Sequence, residues 1–309
     1  MTKTMYRVSE ERTVDQTILV VFLLCAWAAS SHAQTVSPQP AWIGISDAAK
    51  AHVYWTNSKN GSIGRATTSG TGADEKFVAS TTGGAGGGGG MTVNKTYLYW
   101  TSANGGTATT IGRANLDGSD ANEDFITGAH NPCGVAVNSS HIFWAGDAGT
   151  SIGRANLDGT DVNQDFISTG NGVCGIAVTA SHIYWANYET GEIGRATLDG
   201  SDVNNSFISG CGSGIAIQGD YIYFTTSSGT GIGRANIDGS AVNLSFIADL
   251  NGEIAFLAAD STYIFWADWG DRGTGTTIGR ATLDGADVDQ TLIKGTKGGF
   301  GIAVTGGNP

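Results

Sequence analysis

Proline is nearly missing from this chain, 4 residues in 309, while glycine supplies 48. That balance suits many tight turns between short strands. Positive charge is also scarce: 16 Lys and Arg stand against 28 Asp and Glu, a formal net charge of −12. An acidic surface repels phosphate backbones and anionic lipid, which disfavours nucleic acid and membrane surfaces as partners. No helical periodicity of apolar residues appears after Ala33, so a helical bundle is excluded. The glycine run Gly83 to Gly90 lacks the following Lys-Ser/Thr of a phosphate loop and reads as a flexible link. No Cys-x2-Cys pair is present.

Long hydrophobic runs are missing too. The apolar stretch Thr17 to Ala29 is about 13 residues, short of the roughly 20 that span a bilayer. Lys3, Arg7 and Arg12 precede it and Ser31-His32-Ala33 follows, the layout of a cleaved secretory signal. The expected organisation is therefore a signal peptide over 1–33, a short linker over 34–41 and one large domain over 42–309. Cys25 lies inside the apolar run, which continues past it, so it is not read as a lipid-attachment cysteine.

What the chain does have is repetition. Ile-Gly-Arg occurs six times, starting at Ile63, Ile111, Ile152, Ile193, Ile232 and Ile278. Each copy trails an aromatic pair: Tyr54-Trp55, Tyr99-Trp100, Phe143-Trp144, Tyr184-Trp185, Tyr223-Phe224 and Phe265-Trp266. A short interval of this kind with several strands per unit marks a radial repeat. The unit from Gly175 shows the plan: Gly175–Val178, His182–Trp185, Ile193–Ala196 and Asn205–Ile208 read as four strands of an antiparallel meander. Four such strands make a propeller blade and six blades close a ring, so the expected fold is an all-β six-bladed β-propeller. Each buried aromatic ring is expected to contribute about 1.5–3 kcal/mol. The Gly inside Ile-Gly-Arg is expected to leave room for a ring from the neighbouring blade.

Spacing separates scaffold from variable surface. Twelve residues after each Arg stands Phe77, Phe125, Phe166, Phe207, Phe246 or Leu292, and Gly stands five after it every time. Asp stands four after it in five units, as Asp117, Asp158, Asp199, Asp238 and Asp284. This element reads as the hairpin between strands three and four, with Gly supplying positive φ. Length varies instead in the loops between strands two and three and in the links between units, which an up-and-down meander places on one face. Function is expected on that loop face. Gly301–Val304 is a seventh copy of strand one, while Trp42 to Ala48 matches poorly. The C-terminal copy is therefore expected to complete the first blade as its inner strand.

These residues resemble the class B repeats of the low-density lipoprotein receptor, the six-bladed Tyr-Trp-Thr-Asp propellers. Tyr54-Trp55-Thr56-Asn57 carries the first half of the motif and Ile111 to Gly118 the second, and the likeness spans about 42–304. It implies the propeller fold and an extracellular binding or scaffolding role, here in a secreted, bacterial-type member. The motif's Asp survives only as Asp268; the other units carry Asn57, Ser102, Gly146, Asn187 and Thr226. The six arginines thus need other acceptors, since an unpaired buried guanidinium is destabilising. Asp or Asn nine residues on (Asp74, Asn122, Asn163, Asn204, Asn243, Asp289) is the expected acceptor, with backbone carbonyls as the alternative.

Repeated groups read as structure. His52, His141 and His182 alternate with Tyr97, Tyr221 and Tyr263 at one repeat position, which marks packing rather than ligation. The Asp-Gly-Ser-Asp runs lack calcium-loop spacing and read as turns. Five Asn-x-Ser/Thr matches (Asn60, Asn94, Asn138, Asn204, Asn243) acquire meaning only in a glycosylating source. Singular groups are the functional candidates. Cys133, Cys174 and Cys211 precede strand one in units three to five, with His130 nearby. Three readings stay open: a disulfide, which requires the inner strands of adjacent blades to bring Cα atoms within about 7 Å; a Cys3His zinc site; or buried inert thiols. Binding candidates on the loop face are Trp269, Asp271 and Arg272 in unit six, Tyr188 and Glu189 in unit four, and Phe300 and Glu253 on links.

Two function classes follow. The first is a secreted, monomeric, non-catalytic propeller that binds an extracellular protein or glycan, without cofactor or metal and without a membrane span after signal cleavage. The second is an extracytoplasmic hydrolase or lactonase with its site at the channel mouth. The inner strands argue against the enzyme, because only Glu253 offers a carboxylate at their entrance.

Overall fold

A computed structural model of the chain describes residues 51–79, 88–102, 109–146, 150–270 and 273–306. The signal and linker segments, the Trp42 to Ala48 stretch, Asp271 and Arg272 lie outside the described residues. What is described forms six four-stranded antiparallel sheets, the six-bladed propeller that the repeats imply.

Blade one contains β1 (His52–Asn57), β2 (Ile63–Thr67) and β3 (Asp74–Val78). Blade two runs β4 (Gly88–Val93), β5 (Tyr97–Ser102), β6 (Thr110–Asn115) and β7 (Asn122–Thr127). Blade three is β8 (Pro132–Val137), β9 (His141–Gly146), β10 (Ser151–Asn156) and β11 (Asn163–Ser168). Blade four is β12 (Ile176–Val178), β13 (His182–Asn187), β14 (Glu192–Thr197) and β15 (Asn204–Ser209). Blade five is β16 (Cys211–Gln218), β17 (Tyr221–Thr226), β18 (Ile232–Asn236) and β19 (Asn243–Ile247). Blade six is β20 (Ile254–Ala259), β21 (Tyr263–Asp268), β22 (Thr277–Thr282) and β23 (Asp289–Lys294). The last strand, β24 (Gly299–Val304), pairs with β1 and completes blade one from the far end of the chain. Its register sets Val304 on Val53, Ala303 on Tyr54 and Ile302 on Trp55.

The second strand of each blade is buried on both faces, with Trp55, Trp144, Trp185 and Trp266 among the largest fully buried side chains. The Ile-Gly-Arg glycine serves a ring of its own blade, not the neighbour's. Gly64 stands directly across from Trp55, Gly194 from Trp185 and Gly279 from Trp266, and the indole lies where a Cβ would be. The cross-strand partner gets there first because register places it one strand away.

Neighbouring blades meet through the hairpins. Each hairpin glycine has positive φ, from +81° at Gly70 to +86° at Gly239, and packs on the outer-strand residue of the preceding blade. Gly118 meets Phe77, Gly285 meets Phe246, and Gly70 meets Leu292, so the same contact runs round the ring. The repeat arginines sit in these seams. Arg65 lies over the Phe77 ring at 4.1 Å, and Arg113 over Phe125 at 3.9 Å. Arg280 donates to the Thr68 carbonyl at 2.8 Å, while Arg113 and Arg234 reach the Leu157 and Leu283 carbonyls. The expected Asx acceptors are engaged elsewhere: Asp74, Asn122 and Asp289 each accept from the backbone N–H two residues on. An Asx side chain at a strand start finds its own backbone sooner than a guanidinium across the ladder. Tyr54, Tyr184 and Tyr223 hydroxyls donate to the same class of hairpin carbonyl in the next blade.

The histidines fit the packing expectation: His52, His141 and His182 stand 5.9–6.1 Å from the aromatic two residues on. Burial, then Arg154 and Arg195, push the His141 and His182 imidazoles below the usual histidine range. The hairpin aspartates are turns. Asp199 accepts from the Thr197 and Ser201 hydroxyls and from the Ser201 N–H, which hold its carboxyl down at about 2.

Candidate functional site

The inner strands converge at the loop face, and glycine lets them do so. A Cβ on Gly301 would strike Gly89 and Gly90; one on Gly134 would strike the Cys174 carbonyl, and one on Gly214 the Ala255 carbonyl. Hydroxyls tie the seams at this level. Thr56 accepts from the Gly301 N–H at 2.8 Å and donates to the Gly89 carbonyl of blade two at 2.9 Å. Thr101 donates to the Cys133 carbonyl of blade three at 2.8 Å, and Ser213 to the Ala255 carbonyl of blade six at 3.0 Å. Blades three, four and six carry Ala145, Ala186 and Ala267 where blades one, two and five carry Thr.

At the blade three–four seam, where Ala145 cannot bridge, Cys133 and Cys174 are joined in a disulfide with Cα atoms 4.9 Å apart. Of the three readings of these cysteines the disulfide holds for this pair, because Gly134 brings the Cys174 backbone into contact. Cys211 is a free, buried thiol. It stands three residues before Gly214, whereas Cys133 and Cys174 stand one before their glycines. That offset turns it into the core between blades four and five beside Tyr184 and Phe224. Burial pushes its pKa up to about 12, so it is no nucleophile. His130 is exposed and joins no metal-ligand cluster; no group of three His, Cys, Asp or Glu converges among the described residues.

The binding candidates separate into two places. Trp269, Phe300 and Phe256 form a stack at the blade six–one seam. Trp269 meets Phe300 edge-on at 5.5 Å, and Phe300 meets Phe256 at 5.2 Å. Trp269 and Phe300 are partly buried against the core cluster that contains the disulfide, so they are less exposed than a loop position suggests. Backbone bonds fix them: Trp269 N–H donates to the Glu253 carbonyl at 2.8 Å, and Gly275 N–H to the Trp269 carbonyl at 2.7 Å. Asp268, the one surviving motif Asp, accepts from Gly270 N–H and the Thr277 hydroxyl, capping this loop rather than pairing with an arginine. Burial raises its pKa. Glu253 is exposed on the adjoining link. Tyr188 (44% exposed) and Glu189 stand on blade four, on a turn whose N–H groups are held by Asn187.

Three exposed lysines were missed. Lys59, Lys294 and Lys297 all belong to the blade six–one seam; Lys59 N–H donates to the Lys297 carbonyl, and Gly298 N–H to Gly275. They lie at Asn57–Ile63 and Ile293–Gly299, far apart in the chain, and only ring closure brings them together. Lys297 interacts electrostatically with Glu75 of β3, so the seam carries charge of both signs.

No family model matches the chain, and no curated protein matches it. A solved structure described as "Crystal structure of Nidogen/Laminin Complex" is similar to it, with a TM-score of 0.64 and 17% identity over 82% of this chain and 98% of that one. The likeness is one of fold. It supports the propeller architecture, and at this identity it says nothing by itself of ligand or activity.

Proposed function

We infer that this chain is a secreted, non-catalytic propeller of the low-density lipoprotein receptor class B type, which binds a protein partner through its loop face. The observation that carries the reading is the Trp269–Phe300–Phe256 stack at the blade six–one seam, with Lys59, Lys294 and Lys297 exposed on the segments that close the ring there. A rigid, partly desolvated aromatic anchor with a charged rim is the arrangement that concentrates binding energy at interfaces. The similar propeller comes from a nidogen/laminin complex, an assembly between proteins, which favours a protein partner over a glycan. Tyr188 and Glu189, two blades away, extend the same face and make its far edge.

The test needs a partner, recovered by crosslinking at the native cell surface and then purified. Against that partner, Trp269→Ala or Phe300→Ala should weaken binding by about 2 kcal/mol or more, and Tyr188→Ala by less than about 1 kcal/mol. Full affinity in the Trp269→Ala, Phe300→Ala double variant would sink the reading.

A further inference from the structure

The other face of the ring holds something the loop-face reading does not use. The inner strands β4, β8, β12, β16, β20 and β24 each end their sheet and so pair on one side only. Alternate backbone N–H and C=O groups of such a strand point away from its single partner, here toward the axis. The C-terminal halves of these strands wall a cavity of about 980 Å³, within the range of small-molecule sites.

Toward the loop face the described residues crowd the axis. There Phe256 packs in one cluster with Cys133, Cys174 and Phe300, and a Cβ on Gly90 would meet both the Cys133 backbone and the Phe256 ring. At the opposite end the lining reaches the hairpin face between blades one and two, where Asn94, Lys95, Asp117 and Thr305 stand. One ring of equivalent wall positions carries Ala136, Ala177, Ala216, Ala258 and Ala303, with Thr92 in blade two. None of these six carries charge; the charged residues of the lining, Arg65, Lys95 and Asp117, belong to blades one and two, so an ion held at this ring would shed water without a counter-charge from the ring itself. A purely hydrocarbon ligand is disfavoured as well, because it would cover the free strand edges without pairing them. What fits both constraints is a neutral molecule with hydroxyl groups and C–H faces.

We propose that the axial well is a second binding site, open on the hairpin face, for a small neutral polyol of the mono- to trisaccharide class. Its hydroxyls pair with the free edges of the inner strands and with Thr92, and its C–H faces lie on the alanine ring. The site is distinct from the Trp269–Phe300 pair, neither of which lines the well.

Saturation-transfer NMR on the full chain tests this, with maltotriose, sucrose and chitotriose as neutral probes and decanoate as the apolar control. Saturation should reach the ring protons of at least one sugar. Ala177→Phe, which fills the well, should weaken that sugar's Kd by at least about tenfold, whereas Trp269→Ala should leave it unchanged. Circular dichroism and melting verify that the variant folds; should Ala177→Phe not fold, Thr92→Val supplies the readout, with a few-fold weakening expected. Transfer to none of the sugars, transfer to decanoate alone, or sugar affinity unaltered in a folded well-filling variant would each overturn the assignment. Loss of sugar binding in Trp269→Ala would do so too, and would leave the loop-face reading standing.

Discussion

Gly194→Ala isolates the contact on which every blade depends. The added Cβ would stand less than 3.0 Å from Cε2, Cζ2 and Nε1 of Trp185, where ordinary contact begins near 3.4 Å. Trp185 is 1% exposed and packs among Phe143, Ile152 and Ile183, so the indole has to retreat by about 1 Å into filled space. Removing glycine from a strand gains about 0.5–1 kcal/mol of backbone entropy. Overpacking a tight core loses about 1–3 kcal/mol and occasionally more. Steric loss should win because the obstacle is a rigid ring and not the end of a flexible chain, leaving the variant about 2 kcal/mol less stable. For a domain of this size that corresponds to a fall in Tm of about 4–8 °C. Trp185→Leu should remove the obstacle. In the double variant the Gly194→Ala penalty should therefore shrink by at least about 1 kcal/mol, a coupling that urea or thermal unfolding of all four proteins resolves. Additive effects, or a Gly194→Ala protein as stable as the parent, would refute the account of the Ile-Gly-Arg glycine.

Other outcomes follow from the same seams. Deleting residues 298–309 removes β24, uncovers Trp55 and Val53 and opens the ring, so cooperative melting should be lost; an unchanged melting curve would contradict ring closure. Replacing Cys133 and Cys174 by Ala releases a loop with a sequence separation of 41, which the chain-entropy estimate values at about 4 kcal/mol. With Cys211 buried and its pKa near 12, a thiol reagent should find essentially no reactive thiol in the native, oxidised domain, and a native titration of one full thiol would count against this. Ala241 holds φ +53°, where the matching residues are Asp120, Asp161, Asp202 and Asp287; Ala241→Asn should stabilise by about 1 kcal/mol, read as a raised urea midpoint. His141 and His182 have folded pKa values below the unfolded 6.5, so the unfolded state takes up more protons as the medium acidifies. Their contribution is complete above pH 6.5 and is lost as pH falls from there through the depressed folded values. His182→Tyr, the residue type at this position in three blades, should flatten that slope of stability against pH.

The order of the chain was enough to determine the blades. Six copies of an aromatic pair and Ile-Gly-Arg fix the strand count; Gly five after each Arg fixes the hairpin φ, and a leftover Gly301–Val304 fixes closure. These are local or strictly periodic properties, and spacing encodes them directly. The seams between blades were decided only by tertiary structure. Whether Cys133 reaches Cys174, whether Arg280 finds Asp289 or the Thr68 carbonyl, and whether Lys59 meets Lys297 all depend on the radius at which six sheets pack. That radius is set by glycines touching backbone at one end of the axis and by alkyl side chains holding the strands apart at the other. No single repeat contains that difference, so the crowding toward the loop face and the cavity lined by the C-terminal halves of the inner strands exist only in the assembled ring.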